Sequence, residues 1–514
     1  MVLGSPSCYA GRPPPPATVP TRRTFILGST AALVALGREP TAARPAPPLA
    51  SGGAFPQGVM AGQPAPRAIS LWAQHQAPER PGALELEVAA DPGFARVVRR
   101  ERLAPDPETG IVRRRALGRG LQPGRQWWYR FATADGSSPV GRFRTLPPAD
   151  SADPVRIGVF SCQMYFLGFF TGHAALARED LDLVVCLGDY VYETYLDLPT
   201  RREPRPAGAA GAAETLAEYR AKYAAYRLDD DLRAMHAAHA FLPVWDDHEV
   251  ANDYAGDRVP AGEREPDPAQ RRRSAYRAWF EAMPVERPPR QRDRIYRRVR
   301  AGRHLDLFAL DTRQHRVPGR TLLGPAQQEW LVEGLARSRA TWKVLASSVL
   351  LMDLNGPGSE SLTGASGGSW QAFPEARREL GEAVLRRGVR DVAAVTGDAH
   401  AFYAGTVRTE RGTGGRPFAT EFSAGTLAAS NAGTSAFEAL APGSAPAFAA
   451  ADRASTPTLA YSNAADHGYA VLEARPDRLD VTFRAVETIQ RPTAAVRDLA
   501  RFTVPRGEIG PHPR

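Results

Sequence analysis

The stretch LDLVVCLGDYVYE, residues Leu181–Glu193, decides the fold because it is an apolar run of strand length that stops at Gly188-Asp189. It predicts a buried strand followed at once by a sharp polar turn. Runs of the same kind recur at Arg156–Phe160, Ala240–Trp245, Leu305–Leu310, Lys343–Leu350 and Val389–Thr396. Helix-like stretches lie between them at Thr215–His239, Ala269–Ala282, Pro325–Arg339 and Pro374–Arg387. This alternation predicts a layered α/β domain over residues 153–503.

The region before that domain has a different texture. Residues 55–147 contain short segments of β character, separated by clusters of Pro, Gly and Asp, and end at Pro147-Pro148. Such spacing predicts a small all-β sandwich domain. Residues 47–54 are rich in Pro, Ala and Gly and are predicted to be a linker, whereas residues 504–514 are predicted to be a C-terminal tail.

The N-terminal residues 1–46 have the features of a targeting signal. Arg22-Arg23 is followed by Phe25 and by the apolar stretch Ile26–Gly37, which is too short to span a bilayer as a mature helix. The pair of arginines before a short apolar segment predicts a twin-arginine export signal. We therefore expect the twin-arginine export machinery as a partner and a periplasmic or extracellular location.

Composition limits the remaining classes of function. Of the 514 residues, 43% are hydrophobic and 24% charged, which is ordinary globular composition and argues against wholesale disorder. The formal charge of +9 comes almost wholly from arginine, since Lys222 and Lys343 are the only lysines. The preference for arginine over lysine runs through the whole chain and does not mark one basic surface. We therefore expect no specific nucleic-acid complex. Once Cys8 leaves with the signal, only Cys162 and Cys186 remain, which excludes a disulfide framework but leaves a single bridge open.

Polar clusters follow four of the apolar runs. They are Ser161-Cys162-Gln163, Gly188-Asp189-Tyr190-Val191-Tyr192-Glu193, Asp246-Asp247-His248-Glu249 with Asn252 and Asp253, and Gly397-Asp398-Ala399-His400. In layered α/β folds, functional sites gather where strands end. Several carboxylates that converge there would repel one another unless cations bind. The sequence therefore predicts a metal cluster, in which carboxylate, tyrosine and histidine suit iron or another hard divalent ion and all-oxygen positions suit calcium.

Together these clusters resemble those of the PhoD-like alkaline phosphatase/phosphodiesterase family, a branch of the calcineurin-like metallophosphoesterases. Further marks of the resemblance are Phe55-Pro56-Gln57-Gly58-Val59, Ala309-Leu310-Asp311-Thr312-Arg313, Thr341-Trp342-Lys343-Val344 and Asp466-His467-Gly468-Tyr469. The resemblance implies a four-layer sandwich of two β-sheets flanked by helices, preceded by a fibronectin-like β-sandwich. It also implies a secreted, metal-dependent enzyme that hydrolyses phosphate monoesters, phosphate diesters or both.

The resemblance also implies a set of metal ligands. Asp189 is expected to bridge two metals, Fe³⁺ and Ca²⁺, with Tyr192 and the Cys162 thiolate on the iron. Asp247, Asp398 and His400 complete the expected ligands. The choice between Asp246 and Asp247 depends on a one-residue alignment, and Asn252 and His467 are further candidates.

Catalytic roles follow from the same resemblance. Asp189 holds the metal pair, and a metal-activated water is expected to attack phosphorus in line with the leaving group. His248 is the candidate for donating a proton to the leaving oxygen or for hydrogen-bonding the phosphate. Arg313 is expected to be either a phosphate clamp or a structural ion pair with an acid such as Asp311. His467 is expected to line the site or to make a core hydrogen bond. Relatives often carry Gln or Asn where Ser347-Ser348 stand here, which leaves substrate preference open.

Two alternative functions stay open at this point. One is a phosphodiesterase of the phospholipase D type, since basic surface and export would suit lipid phosphate esters as well as small ones. The other is a non-catalytic, metal-binding module of the cell surface, although structural calcium sites seldom employ Cys and Tyr beside carboxylates. We expect a monomer.

Overall fold

The computed structural model describes residues 47–118, 120–194, 206–355, 368–431 and 445–514. The predicted export signal over residues 1–46 lies outside the described residues. Residues 47–514 form one compact unit. None of the described helices combines the length and the apolar character needed to cross a lipid bilayer.

The N-terminal region folds as two small groups of antiparallel strands. The strands are β1 (Val59–Ala65), β2 (Ala68–Gln74), β3 (Leu84–Ala89), β4 (Val97–Leu103), β5 (Ile111–Leu117), β6 (Gln126–Ala132) and β7 (Gly141–Arg144). A four-stranded sheet has the order β4-β3-β6-β7, while β1, β2 and β5 pair with one another separately. Side chains of both groups, such as Leu71, Leu86 and Phe131, are buried in one core. The region is therefore all-β and has two sheets.

Two features of this region differ from the sequence-based expectation. Residues 47–54 do not behave as a free linker, because Leu49, Ser51 and Ala54 form β-bridges with Ala83, Arg80 and Gln76. In addition, β1 pairs in parallel with β10 (Ala240–Pro243) of the following domain. One sheet therefore runs without interruption from the N-terminal region into the α/β region. The domain boundaries at residues 147 and 153 stay predictions.

The first sheet of the α/β region has ten strands. It contains the parallel strands β8 (Val155–Phe160), β9 (Leu183–Cys186) and β10, which are flanked on one side by β1, β2 and β5. On the other side it continues into antiparallel strands near the C-terminus: β18 (His467–Ala474), β19 (Arg478–Val486), β20 (Val496–Pro505) and β21 (His512–Pro513). Residues 504–514, expected to be a tail, instead belong to this sheet, because the chain turns back after β20 and β21 pairs with it.

The second sheet has seven strands. They are β11 (Arg297–Ala301), β12 (Leu305–Ala309), β13 (Trp342–Ser347), β14 (Val392–Thr396), β15 (Phe402–Arg408), β16 (Pro417–Ala424) and β17 (Leu459–Asn463). Strands β12, β13, β14 and β16 are parallel neighbours. Along β13, Val344 and Ala346 lie in the core shared with the first sheet, whereas Leu345 lies in a second core. This alternation shows that the sheet is covered on both faces.

Helices cover the outer faces of the two sheets. The described α-helices are α1 (Thr171–Leu176), α2 (Leu216–Tyr226), α3 (Asp230–Ala238), α4 (Pro268–Ala282), α5 (Gly324–Arg337), α6 (Pro374–Arg386) and α7 (Ala445–Ser455). Leu331 of α5 and Leu380 of α6 pack in the second core, against the outer face of the seven-stranded sheet. Two sheets with helices outside them make the four-layer α/β sandwich that was predicted, preceded by an all-β region. All six predicted apolar runs contain a strand.

The structure divides the predicted helix-like stretch Thr215–His239 into α2 and α3. Asp229 caps α3 by accepting a hydrogen bond from the Leu232 amide at 2.7 Å, which favours a new helix start over continuation. Arg227 ends α2 with its side chain fully buried. Its guanidinium donates to Gln57 Oε1 at 3.3 Å and to Tyr190 Oη at 3.2 Å. The break therefore places a cation between the N-terminal region and the turn that carries Asp189.

A buried carboxylate holds the loops that follow two parallel strands. Glu421 of β16 accepts hydrogen bonds from the Leu351 amide at 2.9 Å and from Thr396 Oγ1 at 2.8 Å. It also accepts one from the Met352 amide at 2.5 Å. Leu351 and Met352 follow β13, and Thr396 ends β14. Glu421 thus ties together the carboxyl ends of the two strands that precede Ser348 and Asp398.

Burial raises the pKa of Glu421 to about 7, although its hydrogen-bond donors act in the opposite direction. Because the folded-state pKa is higher than the unfolded one, the folded chain binds more protons between pH 4.5 and 7. This carboxyl group therefore makes a contribution to stability that is complete below pH 4.5 and is lost as pH rises towards 7. We predict that the free energy of unfolding of wild type falls by about 3 kcal/mol more over that range than that of Glu421→Gln.

Urea denaturation at a series of pH values measures this difference. Glu329→Gln, an exposed glutamate on α5, is the matched control and should keep the wild-type pH dependence. Parallel curves for wild type and Glu421→Gln would contradict the interpretation.

Candidate metal centre

The candidate centre lies where parallel strands of both sheets end. Cys162 follows β8, Asp189 follows β9, and Asp398 follows β14. All three residues have a left-handed backbone, with φ of 58°, 53° and 63° respectively. This conformation is costly for residues other than glycine. Its recurrence at three strand ends indicates that the fold holds these side chains in place against local strain.

Glycine permits the close approach of neighbouring turns. A Cβ atom on Gly188, whose φ is +105°, would lie 2.5 Å from Asp246 Cβ. A Cβ atom on Gly397 would lie 2.7 Å from Ser161 Oγ. Neither distance is sterically possible, so a side chain at either position would push two strand-end turns apart. The two glycines therefore let the turns of both sheets meet.

One side of the centre carries mixed ligand types. Asp189 Oδ2 lies 3.5 Å from Cys162 Sγ and 3.1 Å from Tyr192 Oη. His400 Nε2 lies 3.2 Å from the same phenolic oxygen. His400 Nδ1 lies 2.5 Å from the Ser430 carbonyl oxygen, and this contact orients the imidazole ring. A thiol, a phenol, an imidazole and a carboxylate thus converge.

The other side is acidic. Asp189, Asp246, Asp247 and Asp398 each place one carboxylate oxygen within 4.8 Å of the others. Both members of the Asp246-Asp247 pair belong to this group, so the structure does not select one over the other. Asp189 belongs to every group of potential ligands found among the described residues, including one with Cys162 and His400. It is therefore the shared member of the two sides.

Arg313, which follows β12, adopts the ion-pair alternative. Its side chain is 1% exposed and its Nε donates to Asp246 Oδ1. A terminal nitrogen lies 3.4 Å from Asp247 and 3.6 Å from Asp398. Although burial disfavours its charge, Asp246, Asp247 and Asp398 raise the pKa of Arg313 well above its usual value. Asp311, the partner first considered, instead accepts the Arg313 amide at 3.1 Å and the Trp245 indole N–H at 3.0 Å.

The ion pairs of Arg313 leave several carboxylate oxygens of the cluster without a hydrogen-bond donor. Within the described residues, Asp189 Oδ1, Asp246 Oδ2 and Asp247 Oδ1 are buried without a hydrogen-bond donor. Burial, together with the neighbouring aspartates, raises the pKa of both Asp189 and Asp398 well above 3.8. Buried carboxylate oxygens that lack donors are what a bound cation satisfies. The residues present therefore fit a metal cluster.

His248 is held at the open side of the centre. Its Nδ1 lies 2.7 Å from Glu193 Oε2, and its ring lies against the tilted ring of Tyr192 at 4.1 Å between centroids. The side chain is 15% exposed, compared with 1% for Arg313. Burial opposes its charge, but Glu193, Asp247 and Asp189 raise the pKa of His248 well above 6.5. The imidazole is thus oriented at Nδ1, and the neighbouring carboxylates favour its protonated form.

Two glutamates that the sequence analysis gave no role organise this geometry. Glu249 Oε2 accepts hydrogen bonds from the Asp189 amide at 3.0 Å and from the Asp246 amide at 2.8 Å. Its Oε1 accepts the Tyr190 amide at 2.7 Å. Glu193 Oε1 accepts the Asn252 amide at 2.7 Å while its other oxygen holds His248. Their only signal in the sequence was their position, directly after His248 and Tyr192.

Two other candidate ligands lie elsewhere. Asn252 is exposed, and its side-chain Nδ2 donates to Asp253 Oδ2 at 3.1 Å, outside the cluster. His467 Nε2 lies 2.8 Å from the Ala429 carbonyl oxygen, so it makes the core hydrogen bond that was the alternative to ligation. Cys186 is buried within β9, and both it and Cys162 are free thiols, so the bridge left open by the count does not form.

Comparison with known proteins places the chain in a family. Residues 157–483 match the PhoD-like phosphatase family, and residues 41–147 match the PhoD-like phosphatase, N-terminal domain. Alkaline phosphatase D of Bacillus subtilis (strain 168) is 32% identical over 402 residues, which cover 72% of this chain and 68% of that protein.

Solved structures agree with the fold. A structure of PhoD superposes with a TM-score of 0.79 at 28% identity, covering 90% of this chain and 92% of the other. The purple acid phosphatase PPD1 from yellow lupin (Lupinus luteus) seeds superposes with a TM-score of 0.58 at 14% identity, over 88% of this chain and 75% of that chain. The second likeness concerns the fold alone.

Proposed function

Because the chain belongs to the PhoD-like phosphatase family and is a hydrolase of phosphoric esters, we propose that it is an exported, metal-dependent alkaline phosphatase. It would hydrolyse phosphate monoesters, phosphate diesters or both. The observation that carries this proposal is the meeting of Cys162, Asp189, Tyr192 and His400 with three further aspartates at the ends of parallel strands. Two adjoining groups of ligands that share one carboxylate suit a two-metal hydrolytic site.

The chemistry of the donors supports iron on one side and calcium on the other. Cys162, Tyr192 and His400 offer sulfur, phenolate oxygen and nitrogen, which suit Fe³⁺ better than a hard alkaline-earth ion. Asp246, Asp247 and Asp398 offer oxygen only, which suits Ca²⁺. Asp189 would bridge the two sides, since it belongs to both groups. When bound, such metals polarise the ester and supply a nucleophilic water near neutral pH.

The chain's own residues would orient the substrate and move a proton. His248 Nδ1 is held by Glu193, so Nε2 is the nitrogen available to donate a proton to the leaving oxygen. Arg313, with its Nε bonded to Asp246, would keep the acidic side of the centre assembled. Its buried position favours this positioning role over a direct phosphate clamp.

Export is proposed from the twin arginines Arg22-Arg23, with the twin-arginine machinery as partner. The location would be periplasmic or extracellular, and the expected substrates are small or lipid phosphate esters. We propose a monomer without a specific nucleic-acid complex.

Asp189→Ala is expected to remove metal and turnover together, because Asp189 is the ligand common to both sides of the centre. Hydrolysis of p-nitrophenyl phosphate should fall by more than about 100-fold. Elemental analysis of the purified variant should show loss of both iron and calcium. Asp150→Ala, at an exposed position, is the control and should retain both metals. Near-normal activity of Asp189→Ala would contradict the assignment of Asp189 as the shared metal ligand.

The ester class is decided by comparing p-nitrophenyl phosphate with bis(p-nitrophenyl) phosphate on protein exported with its native metals. A rate ratio well above one supports an alkaline phosphatase acting on monoesters. A ratio well below one supports the phosphodiesterase alternative, including the phospholipase D type. Turnover of neither ester by metal-loaded protein would contradict the proposed function and favour a non-catalytic metal-binding module.

Glu193→Gln tests the role of His248. Removing the carboxylate charge should lower the pKa of His248, because Glu193 is the first of the groups that raise it against burial. A general acid must be protonated, so the basic limb of the pH profile of kcat/KM should move to lower pH. We also expect kcat to fall by about 100-fold as the imidazole loses its orientation.

Glu214→Gln is the matched control, since Glu214 is also buried and accepts the Arg264 amide at 2.6 Å without contacting a histidine. It should leave the basic limb where it is in wild type. An unchanged basic limb in Glu193→Gln would exclude His248 as the titrating acid.

A further inference from the structure

A cavity lies beside the loop that follows Arg313. Its volume is about 880 Å³, and its walls are formed by residues 291–296, residues 314–321 and the first turn of α5. It is separate from the carboxylate cluster, whose aspartates do not line it. We call it the arginine cavity, after Arg292, Arg294 and Arg320 on its wall.

These three arginines bring unpaired positive charge to one wall. Among the described residues, Arg292, Arg294 and Arg320 form no ion pair, as is also true of Arg339 and Arg390, but these three lie together on the wall of one cavity. Arg292 and Arg320 are exposed at the wall. Their charges are therefore available to an anion that enters the cavity.

The acidic residues on the wall do not cancel this charge. Asp257 is paired with Arg272 at 2.5 Å, and Asp293 is paired with Arg287. Both partners come from outside the lining. Glu379 is the remaining acid on the wall. The local balance within the described residues therefore stays positive.

Arg294 is fixed in place. Its guanidinium lies 4.1 Å from the centre of the Tyr296 ring, and a terminal nitrogen donates to Gln291 Oε1 at 2.9 Å. Stacking and hydrogen bonding lower the entropy that the side chain would lose on binding an anion. Gly324 and Pro325, in the first turn of α5, also line the cavity. The positive end of the helix dipole therefore adds to the arginine charges.

A single loop, which contains Arg313, separates the cavity from the candidate metal centre. The Arg313 side chain reaches the aspartates, while its carbonyl oxygen accepts the Gly256 amide at 2.9 Å. Gly256 and Gln314 line the cavity. One residue thus contacts the carboxylate cluster on one side and the wall of the cavity on the other.

We propose that the arginine cavity binds a second phosphate group, next to the one that reacts at the metal centre. That group is either the distal phosphate of a multiply phosphorylated substrate or free inorganic phosphate. This inference rests on the proposed function for the reacting phosphate, but the charge of the cavity does not depend on it.

The test compares hexyl phosphate with alkanediol bisphosphates of four to ten carbons, using the release of inorganic phosphate by metal-loaded enzyme. In wild type, kcat/KM for at least one bisphosphate should exceed that for hexyl phosphate by about 10-fold. In the double variant R292Q/R320Q this ratio should fall to about one. The control R339Q/R390Q removes two charges at exposed positions outside the cavity lining and should keep the wild-type ratio.

Calorimetric titration of the same proteins with inorganic phosphate distinguishes the two sources. Two binding events in wild type and one in R292Q/R320Q, without a preference for bisphosphates, would assign the cavity to free phosphate. A single event in wild type together with no bisphosphate preference would overturn the proposal, as would equal losses in both double variants. Failure to hydrolyse hexyl phosphate at all would instead contradict the proposed function, and the titration would still test the cavity.

Discussion

The structure depends on one electrostatic conflict, the convergence of Asp189, Asp246, Asp247 and Asp398 within 4.8 Å of one another in a buried place. Like charges at this separation repel strongly when water is excluded. Arg313 is the arginine that forms ion pairs inside the cluster, and it reaches three of the four aspartates. Carboxylate oxygens that still lack a donor fit bound cations, and a thiol, a phenol and an imidazole lie beside them as further potential ligands.

Other buried carboxylates fix the backbone and the side chains around the four aspartates. Glu249 accepts hydrogen bonds from the backbone amides of Asp189 and Asp246, and Glu193 holds the imidazole of His248. Glu421, further from the centre, ties the ends of two strands of the second sheet. Each of these carboxylates accepts backbone or imidazole N–H groups, so none of them is free to join the ligand cluster. The scaffold thus separates structural acids from acids that can bind metal.

The sequence allowed the α/β layering, the six strands and the four polar strand ends to be predicted, because each depends on local apolar runs that stop at polar residues. Other features depend on contacts between distant parts of the chain. The pairing of β1 with β10 joins Ala61 to Ala240 across the sequence, and no local pattern reveals it. Arg313 could be a clamp or an ion pair until the aspartates around it were located. Glu193 and Glu249 look like any other glutamates until their amide partners are known.

The most direct measurement is X-ray diffraction from crystals of the exported, metal-loaded protein, recorded on both sides of the iron absorption edge and again at a wavelength where calcium scatters anomalously. The account predicts an iron signal beside Cys162 and Tyr192 and a calcium signal among Asp246, Asp247 and Asp398. Asp189 should contact both ions. An enzyme that hydrolyses phosphate esters but carries its metals elsewhere, or carries none, would contradict the account.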